Sequence, residues 1–202
     1  MKKKGLLIVL SGPSGSGKGT ICKRFLEKNE AVSLSVSATT RKPREGEEHG
    51  VHYFFKTKDE FVEMIEKNHL LEYVHVFDNY YGTPKDYVLK EIELGRDVIL
   101  EIEIEGAAKV KEAYADAVLV FVLPPSIEEL KRRIQGRGTE SMEQIEDRLG
   151  RSLKEIGCIT NYSYFIVNED VDVAVRELEA IMTAEKDNTR RYLCEIRKEF
   201  GL

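Results

Sequence analysis

The stretch that decides the fold lies near the start of the chain and reads Leu6-Leu7-Ile8-Val9-Leu10-Ser11-Gly12-Pro13-Ser14-Gly15-Ser16-Gly17-Lys18-Gly19-Thr20. Its first five residues form an apolar run typical of a strand buried on both faces of a parallel sheet. A glycine-rich segment with the spacing G-x-x-x-x-G-K follows directly, and helical periodicity begins at Gly17. This order predicts a phosphate-binding loop, because the glycines can turn successive N–H groups toward an anion and the helix adds its positive end.

The loop is expected to bind the phosphates of ATP, with Lys18 supplying a point charge for the β- and γ-phosphates. The predicted ATP-binding residues are Gly12, Pro13, Ser14, Gly15, Ser16, Gly17, Lys18, Gly19 and Thr20. Gly19 stands where this motif usually carries the Ser or Thr that ligates Mg²⁺, and Thr20 comes one position later. We therefore expect Mg²⁺ to be held mainly by nucleotide phosphates and water, as its reluctance to dehydrate permits.

Beyond this stretch, short apolar runs alternate with helical patterns. Further strands are predicted at Val98–Ile104, Ala117–Leu123 and Phe165–Val167, with a weaker one at Val32–Val36. Helices are predicted at Gly17–Lys28, Gly106–Tyr114, Ser126–Gln135 and from Val171 to Phe200. Strands separated by helices predict an α/β fold, in which helices cover both faces of a parallel sheet and ligands bind outside the carboxyl ends of the strands.

Two stretches interrupt this alternation, residues 38–95 and residues 136–160. The first is predicted to contain a helix at Asp59–Lys67, a strand at Leu70–Phe77 and a helix opened by Thr83-Pro84 and closed by Gly95. The second is strongly charged, with Gly136 and Gly138 as expected hinges. We predict an inserted lobe at 38–95 and a mobile lid at 136–160. The core then comprises residues 4–37, 96–135 and 161–185, and residues 186–202 form a C-terminal helical extension.

Composition argues against several classes of protein. Of 202 residues, 31 are Lys or Arg and 36 are Asp or Glu, giving a net charge of −5, whereas proteins that coat nucleic acid by bulk electrostatics are normally basic. The three cysteines form an odd set without C-x-x-C spacing, which favours neither a disulfide framework nor a zinc site. The apolar run Leu6–Leu10 is too short for a signal peptide or a membrane span. We expect a cytoplasmic protein that binds neither nucleic acid nor membrane.

Charged residues gather where a phosphate or a metal ion could bind. In the predicted strand Val98–Ile104, alternation places three carboxylates on one face, so at least one is expected to meet a cation or hydrogen-bond donors: Glu101, Glu103 and Glu105. A solvated acidic face on an edge strand is the alternative. Arginines outside regular surface helices are expected to bind phosphate bidentately, namely Arg41, Arg44, Arg137 and Arg148. The run Lys131-Arg132-Arg133 is predicted to be a solvated helix face.

Together these motifs resemble those of the guanylate kinase family, in that family's order, over roughly residues 5–185. Besides the loop at 12–20, the resemblance rests on Ser35-Val36-Ser37-Ala38-Thr39-Thr40-Arg41-Lys42-Pro43-Arg44, Asn79-Tyr80-Tyr81-Gly82-Thr83, Leu100-Glu101-Ile102-Glu103 with Gly106, Gly136-Arg137-Gly138-Thr139-Glu140 and Ile166-Val167-Asn168-Glu169-Asp170. It implies a P-loop NTPase-type parallel-sheet core with an inserted GMP-binding lobe and a lid that closes over ATP.

The resemblance also implies roles for particular residues. Guanine would be read by Ser37, Glu72 and Thr83, and the GMP phosphate would be held by Arg41, Arg44, Tyr53 and Tyr81, with Gly82 beside them. Glu103 would lie near the ribose and the water network of the metal. Catalysis would depend on Lys18, Arg41, Arg137 and Arg148. Two positions depart from the family's pattern, because Thr83 stands where many members carry Ser and Glu103 where Asp is common.

The implied reaction is ATP + GMP → ADP + GDP with Mg²⁺, and whether dGMP also serves is left open. No general base is needed, since the attacking phosphate oxygen of GMP is already ionised at neutral pH. Two alternatives remain: a non-catalytic guanylate-kinase-like module that captures phosphorylated peptides, and a kinase of the same fold for another phosphorylated acceptor, such as a sugar phosphate. The sequence leaves a monomer and a homo-oligomer equally open.

Overall fold

The computed structural model describes residues 3–76, 78–136 and 142–202. The strands in this part of the chain are β1 Leu7–Ser11, β2 Ser33–Leu34, β3 Ala38–Thr39, β4 Phe54–Phe55, β5 Leu70–Val76, β6 Asn79–Pro84, β7 Val98–Glu101, β8 Val118–Leu123 and β9 Tyr164–Val167. The α-helices are α1 Lys18–Lys28, α2 Lys58–Glu66, α3 Lys85–Glu93, α4 Ile104–Ala113, α5 Ile127–Gln135, α6 Met142–Ile156, α7 Val171–Lys186 and α8 Leu193–Phe200. Short 3₁₀-helices lie at Gly157–Asn161 and Thr189–Arg191.

The central sheet is parallel, with the strand order β2-β7-β1-β8-β9. Side chains of β1 alternate between its faces: Ile8 and Leu10 pack with residues of α1 and α7, whereas Leu7 and Val9 pack with residues of α3 and α4. Every residue of β1 is buried, which explains why the strand is an unbroken apolar run rather than an alternating one. The predicted parallel-sheet core covered by helices is confirmed.

A second, smaller sheet is built from residues 38–84, in the order β4-β3-β6-β5. Strands β3 and β4 are parallel, whereas β6 runs antiparallel to both β3 and β5. Helix α2 closes one side of it, where the fully buried Phe61 packs with Ala38 and Leu70. This hydrophobic cluster is separate from the two that cover the central sheet. The smaller sheet is joined to α4 by the Lys109 ammonium, which donates to the Tyr73 carbonyl at 2.7 Å.

The strand predicted at Val98–Ile104 is shorter than expected. Strand β7 ends at Glu101, Glu103 is the extended N-cap residue of α4, and α4 begins at Ile104. The three carboxylates therefore do not share one strand face, and that part of the prediction is wrong. A carboxylate is favoured in the first turn of a helix by the helix dipole, and Glu105 also pairs with Lys109 one turn later, at 2.7 Å.

The helix predicted from Val171 to Phe200 is interrupted. Helix α7 ends at Lys186, and the Asn188 side chain then accepts a hydrogen bond from the Arg190 N–H at 3.1 Å. Asparagine stabilises non-helical backbone through such local bonds, so the chain turns before α8 begins. The turn lies against the core, where Lys186 pairs with the buried Asp97 at 2.6 Å and Lys3 pairs with Asp187.

Residues 142–156, expected only as a charged stretch, form the amphipathic helix α6. Its Ile145 packs against Leu130 and Ile134 of α5, with Leu149 and Ile156 beside them. None of the helices in the described residues is long and apolar enough to cross a lipid bilayer.

Candidate functional site

The glycine-rich loop joins the carboxyl end of β1 to the first turn of α1, and close neighbours favour glycine at two of its positions. A Cβ on Gly12 would lie 2.4 Å from the backbone carbonyl oxygen of Val122, and one on Gly17 would lie 2.1 Å from the side-chain amide nitrogen of Asn168. Gly17 also has a φ of 86°, in the left-handed region that favours glycine. The loop therefore takes a conformation that brings its backbone close to two neighbouring segments.

Side chains from two distant segments hold this loop in place. The Ser16 carbonyl accepts hydrogen bonds from the Asn168 amide at 2.8 Å and from the Arg133 Nη1 at 3.2 Å. The Arg133 Nη2 also donates to the Asn168 carbonyl at 2.9 Å. The predicted solvated face is thus wrong for Arg133, whose side chain is 24% exposed, and right for Arg132, which is 75% exposed. Arg133 lies at the edge of the apolar stripe made by Leu130 and Ile134. Its partial burial could therefore have been predicted from the sequence.

The neighbouring arginines provide a matched test of this support. Replacing Arg133 with Ala is expected to destabilise the fold by about 1–3 kcal/mol, because two buried carbonyls lose a charged donor, and to weaken ATP binding. Replacing Arg132 with Ala should change stability by about 0.5 kcal/mol or less, as is usual for surface sites. Urea denaturation and ATP titration of both variants check this. If the two substitutions lowered stability and ATP affinity equally, the contacts of Arg133 with the loop would be unimportant.

Lys18 lies in the loop with its side chain only 14% exposed. Its ammonium donates to the Gly12 carbonyl at 3.2 Å and lies 3.7 Å from a Glu103 carboxylate oxygen. Glu101 projects toward the same place, with Oε1 3.1 Å from where a Cβ on Gly19 would be. Burial raises the pKa of the Glu101 carboxyl, whereas Lys18 acts to lower it. One lysine and two carboxylates therefore meet at the carboxyl end of β7.

A cavity of about 980 Å³ connects this loop to the smaller sheet, near the upper end of the volumes of small-molecule sites. The polar residues that line it include Ser14 from the loop, Ser37 just before β3, Tyr53, Glu72 and Tyr81 from the segment of the smaller sheet, Glu101 and Glu103 from the end of β7, and Arg148, Arg151, Ser152 and Glu155 from α6. Most of the side chains that the resemblance assigns to GMP therefore face one space, together with part of the loop assigned to ATP.

The buried end of the cavity contains Glu72, which is 6% exposed. Its Oε1 accepts a hydrogen bond from the Thr83 hydroxyl at 2.7 Å. Its Oε2 lies against Gly106, where a Cβ would come within 2.9 Å. Burial raises the pKa of the Glu72 carboxyl, opposed by the Thr83 hydrogen bond and by Lys109. The structure thus places a poorly solvated carboxylate with a fixed orientation at this end of the cavity.

The arginines of the 41–47 turn differ in their surroundings. The Arg41 guanidinium is 5.4 Å from the centre of the Tyr53 ring and forms an ion pair with Glu47 at 2.8 Å. Tyr53 and Tyr81 lie with their ring centres 6.1 Å apart. The Arg44 side chain is exposed at the surface of the turn. The structure therefore brings Arg41, Tyr53 and Tyr81 together and leaves Arg44 at the rim.

Helix α6 presents one face to the glycine-rich loop. The Arg148 Nη2 donates to the Ser14 hydroxyl at 2.8 Å, and the Ser152 hydroxyl lies 3.5 Å from the Ser14 carbonyl oxygen. On the same face, one Glu155 oxygen is buried without a hydrogen-bond partner among the described residues. Burial raises the pKa of the Glu155 carboxyl, as does the nearby Glu103. The predicted site residue Arg137 lies outside the described residues.

A family model described as guanylate kinase matches residues 4–185. The chain belongs to the guanylate kinase family. It is 54% identical over 198 residues to the guanylate kinase of Clostridioides difficile strain 630, an alignment that covers 98% of this chain and 97% of that protein. It is 52% identical over 202 residues to the guanylate kinase of Caldanaerobacter subterraneus subsp. tengcongensis, with 98% of each covered. The crystal structure of guanylate kinase from Anaplasma phagocytophilum is 32% identical, has a TM-score of 0.80, and is matched over 98% of this chain and 96% of that chain.

Membership of the guanylate kinase family implies a kinase that uses ATP with a divalent metal ion. The donor set fits a hard cation, because Glu101 and Glu103 offer carboxylate oxygens beside the glycine-rich loop. Within the described residues, no group of three or more His, Cys, Asp or Glu side chains could enclose a metal by itself. A cation in this guanylate kinase site would therefore share its coordination with nucleotide phosphates and water.

Several residues at the site were not singled out from the sequence. Glu47 and Glu155 lie in charged stretches where their neighbours carry similar side chains, so nothing in the pattern distinguished them. Asn168 belongs to a motif that supports the resemblance, but its contact with Ser16 depends on β9 lying beside β8. The sequence pattern could have indicated the burial of Arg133, whereas it gave no indication of the contacts of Glu47 or Glu155.

Proposed function

We propose that this chain catalyses transfer of the γ-phosphoryl group of ATP to GMP, with Mg²⁺ as the metal ion. The observation that carries the proposal is one cavity that joins the glycine-rich loop to the buried Glu72–Thr83 pair. ATP would bind at the loop residues 12–20, and GMP would lie between Glu72 and Arg41. The full-length similarity to guanylate kinases supports this assignment.

Guanine is the base that suits the Glu72 end of the cavity. It presents N1–H and the 2-amino group side by side as donors, which one carboxylate can accept together. Adenine instead carries a lone pair at N1 and lacks the 2-amino group, so an ionised Glu72 would face an acceptor. Leaving buried polar groups unpaired in this way is costly. Ser37 and Thr83 would add hydroxyl groups near O6, but a hydroxyl both donates and accepts, so these two residues should discriminate less.

Phosphoryl transfer here would depend on charge and position. The attacking oxygen of GMP is already ionised, so the chain needs no general base. Lys18 would act on the transferring phosphoryl group, Arg41 on the GMP phosphate, and Arg148, with the predicted Arg137, on the ATP phosphates. When bound, Mg²⁺ would neutralise charge on the ATP phosphates, with Glu101 and Glu103 holding its water. Closure of the predicted lid over the site would exclude water and so limit hydrolysis of ATP.

The two alternatives are not favoured. A phosphopeptide-binding module has no use for an ATP site, whereas this chain retains Lys18 beside two carboxylates and Arg148 against the glycine-rich loop. A sugar phosphate has no base, so it would offer no pair of donors to the buried Glu72 carboxylate, whose hydrogen bond from Thr83 occupies only Oε1.

A panel of acceptors tests the proposal. ADP production in the presence of ATP and Mg²⁺ should be measured with GMP, dGMP, AMP, UMP and ribose 5-phosphate. GMP is expected to give the highest kcat/KM of the ribonucleotides by at least about a hundredfold, since recognition by paired polar groups discriminates strongly. Similar rates with AMP, or no ADP with any nucleotide, would contradict the proposal.

Binding of the base should also depend on pH. Burial raises the pKa of the Glu72 carboxyl, and protonation turns one of the two acceptor oxygens that guanine requires into an O–H donor. Guanosine affinity should therefore fall as pH is lowered through that raised pKa, at a higher pH than for an ordinary glutamate. Guanosine is the suitable ligand because it lacks the phosphate, which titrates itself. NMR titrations between about pH 4 and pH 8, which bracket the ordinary pKa of glutamate, check this. A flat profile would contradict it, and Glu72→Gln should give one.

A further inference from the structure

An outer strand of the smaller sheet is held by a lysine from the core. Strand β5 lies at one edge of that sheet and carries Glu72. The Lys109 ammonium of α4 donates to the carbonyl of Tyr73, the next residue along β5, at 2.7 Å, and lies 5.4 Å from the centre of the Tyr73 ring. It also donates to Glu105, one turn earlier in the same helix, at 2.7 Å. Lys109 therefore joins the backbone beside Glu72 to a helix of the core.

The helix that carries Lys109 also backs the Glu72 carboxylate. Gly106 lies on this helix, and a Cβ there would come within 2.9 Å of the Glu72 Oε2. Strand β5 has a bulge next to Glu72, because its pairing with β6 shifts register between Leu70 and Glu72. Bulges re-aim side chains, and here Leu70 packs in the cluster of the smaller sheet, whereas Leu71 packs in the core cluster that contains residues of α4. The orientation of Glu72 thus depends on how β5 lies against α4.

Two charged groups of α4 act on Glu72 in opposite directions. Burial is the largest effect and raises the pKa of the Glu72 carboxyl, whereas the Thr83 hydrogen bond from β6 and the charge of Lys109 lower it. Glu105 raises this pKa, but less than Lys109 lowers it. Three further carboxylates line the same cavity nearer to the glycine-rich loop, namely Glu101, Glu103 and Glu155. Removing Lys109 would therefore leave burial and the Glu105 charge less strongly opposed.

We infer that Lys109 is a positioning residue for Glu72: it ties the strand that carries this carboxylate to the helix that backs it, and its charge favours the ionised form that accepts from guanine. The inference deepens the proposed function and rests on it, because it takes Glu72 as the residue that reads the base. Lys109 would act only through Glu72 and would not touch the nucleotide, since its ammonium is engaged by Tyr73 and Glu105.

The first test follows the titration of Glu72. In Lys109→Met, the Glu72 carboxyl should titrate about half a pH unit higher than in the wild type, because the lost charge is of opposite sign but partly exposed to water. Guanosine affinity, which falls as Glu72 takes up a proton, should then begin to fall at a correspondingly higher pH. Lys109→Arg keeps the charge and should restore most of the wild-type profile. Carbon-13 NMR of the side-chain carboxyls, with the Glu72 resonance assigned by its absence in Glu72→Gln, and guanosine titrations between about pH 4 and pH 8 give the two measurements.

A double-mutant cycle separates this role from a general effect on the smaller sheet. At the upper end of that pH range, Lys109→Met should weaken guanosine binding about three- to fivefold, because β5 is no longer tied to α4. In a Glu72→Gln background the same change should alter guanosine affinity by less than about twofold, since the carboxylate that Lys109 positions is gone. Circular dichroism confirms that each variant is folded.

The matched control is Lys111→Met, which removes the same charge from the same helix. The Lys111 ammonium donates instead to the Ala115 and Ala117 carbonyls, so this change should leave the Glu72 titration where it is in the wild type. An unchanged Glu72 titration in Lys109→Met, or an equal shift in Lys111→Met, would overturn the inference.

The guanosine data can also overturn it. Equal losses of guanosine affinity from Lys109→Met with and without the Glu72 carboxylate would show that Lys109 only supports the fold. Failure of the proposed function would give a different pattern, in which none of the proteins binds guanosine while the Glu72 carboxyl still titrates higher in Lys109→Met. That result would support the coupling of Lys109 to Glu72 and refute its use in recognising guanine.

Discussion

Replacing Glu72 with Gln is expected to lower kcat/KM for GMP by at least about tenfold, because guanine loses the acceptor for one of two adjacent donors and meets an amide N–H instead. The same substitution should lower kcat/KM for AMP by much less, since adenine offers no such pair of donors. Steady-state kinetics give kcat/KM for GMP and for AMP, each measured with the wild type and with Glu72→Gln. The ratio of GMP to AMP is the informative quantity, because a general loss of activity would leave that ratio unchanged.

Folding should not confound this experiment. The Glu72 carboxylate is poorly solvated because the residue is buried, so a neutral amide of the same shape removes a desolvated charge and keeps an acceptor for the Thr83 hydroxyl. We expect Glu72→Gln to be at least as stable as the wild type in urea. Glu63→Gln is a suitable control, because Glu63 lies on α2 beside the same sheet and forms an exposed pair with Lys67. If the ratio of GMP to AMP stays the same in Glu72→Gln, this residue does not read the base.

Replacing Lys18 with Ala is expected to reduce kcat by about a hundredfold or more, the size of effect seen when one preorganised charge or donor is removed from a transition state. GMP binding should be little affected, since Lys18 lies in the loop and outside the Glu72 end of the cavity. Interactions made mostly in the transition state change kcat rather than ground-state binding.

The control for Lys18 is Lys23→Ala, an exposed lysine on the same helix, which should leave kcat unchanged. Single-turnover rates and a GMP titration separate chemistry from binding. A Lys18→Ala enzyme within about threefold of the wild-type kcat, which is well under 1 kcal/mol, would show that the lysine has no catalytic role.

The central sheet could be predicted because its strands are buried on both faces. Leu6–Leu10 reads as an uninterrupted apolar run for that reason, and the glycine-rich loop that follows has a spacing that few other structures require. The smaller sheet could not be predicted in the same detail. Strands β3 and β4 each contain two residues, too few for any periodicity to be visible. Strand β3 also pairs with β6, which lies about forty residues further along the chain.

The end of β7 and the nature of α6 show two different limits. Apolar and acidic residues alternate at positions 98–104, which is compatible with a long strand. The strand nevertheless ends at Glu101, because α4 begins at Ile104. In α6, Ile145, Leu149 and Ile156 do recur at helical spacing, so a helix was detectable beneath the charges. The residue types at the site followed from the resemblance, whereas Arg133 and Glu155 make contacts between segments that meet only in the folded chain.

The most direct measurement follows the phosphoryl group itself. The enzyme is mixed with GMP, Mg²⁺ and ATP labelled at the γ-phosphate, the reaction is quenched within the first turnovers, and the nucleotides are separated. Transfer to GMP predicts that the label appears in GDP, in amounts equal to the ADP formed and with little label in inorganic phosphate. Label released as inorganic phosphate, or carried equally well to AMP, would contradict the assignment of this chain as an ATP:GMP phosphotransferase.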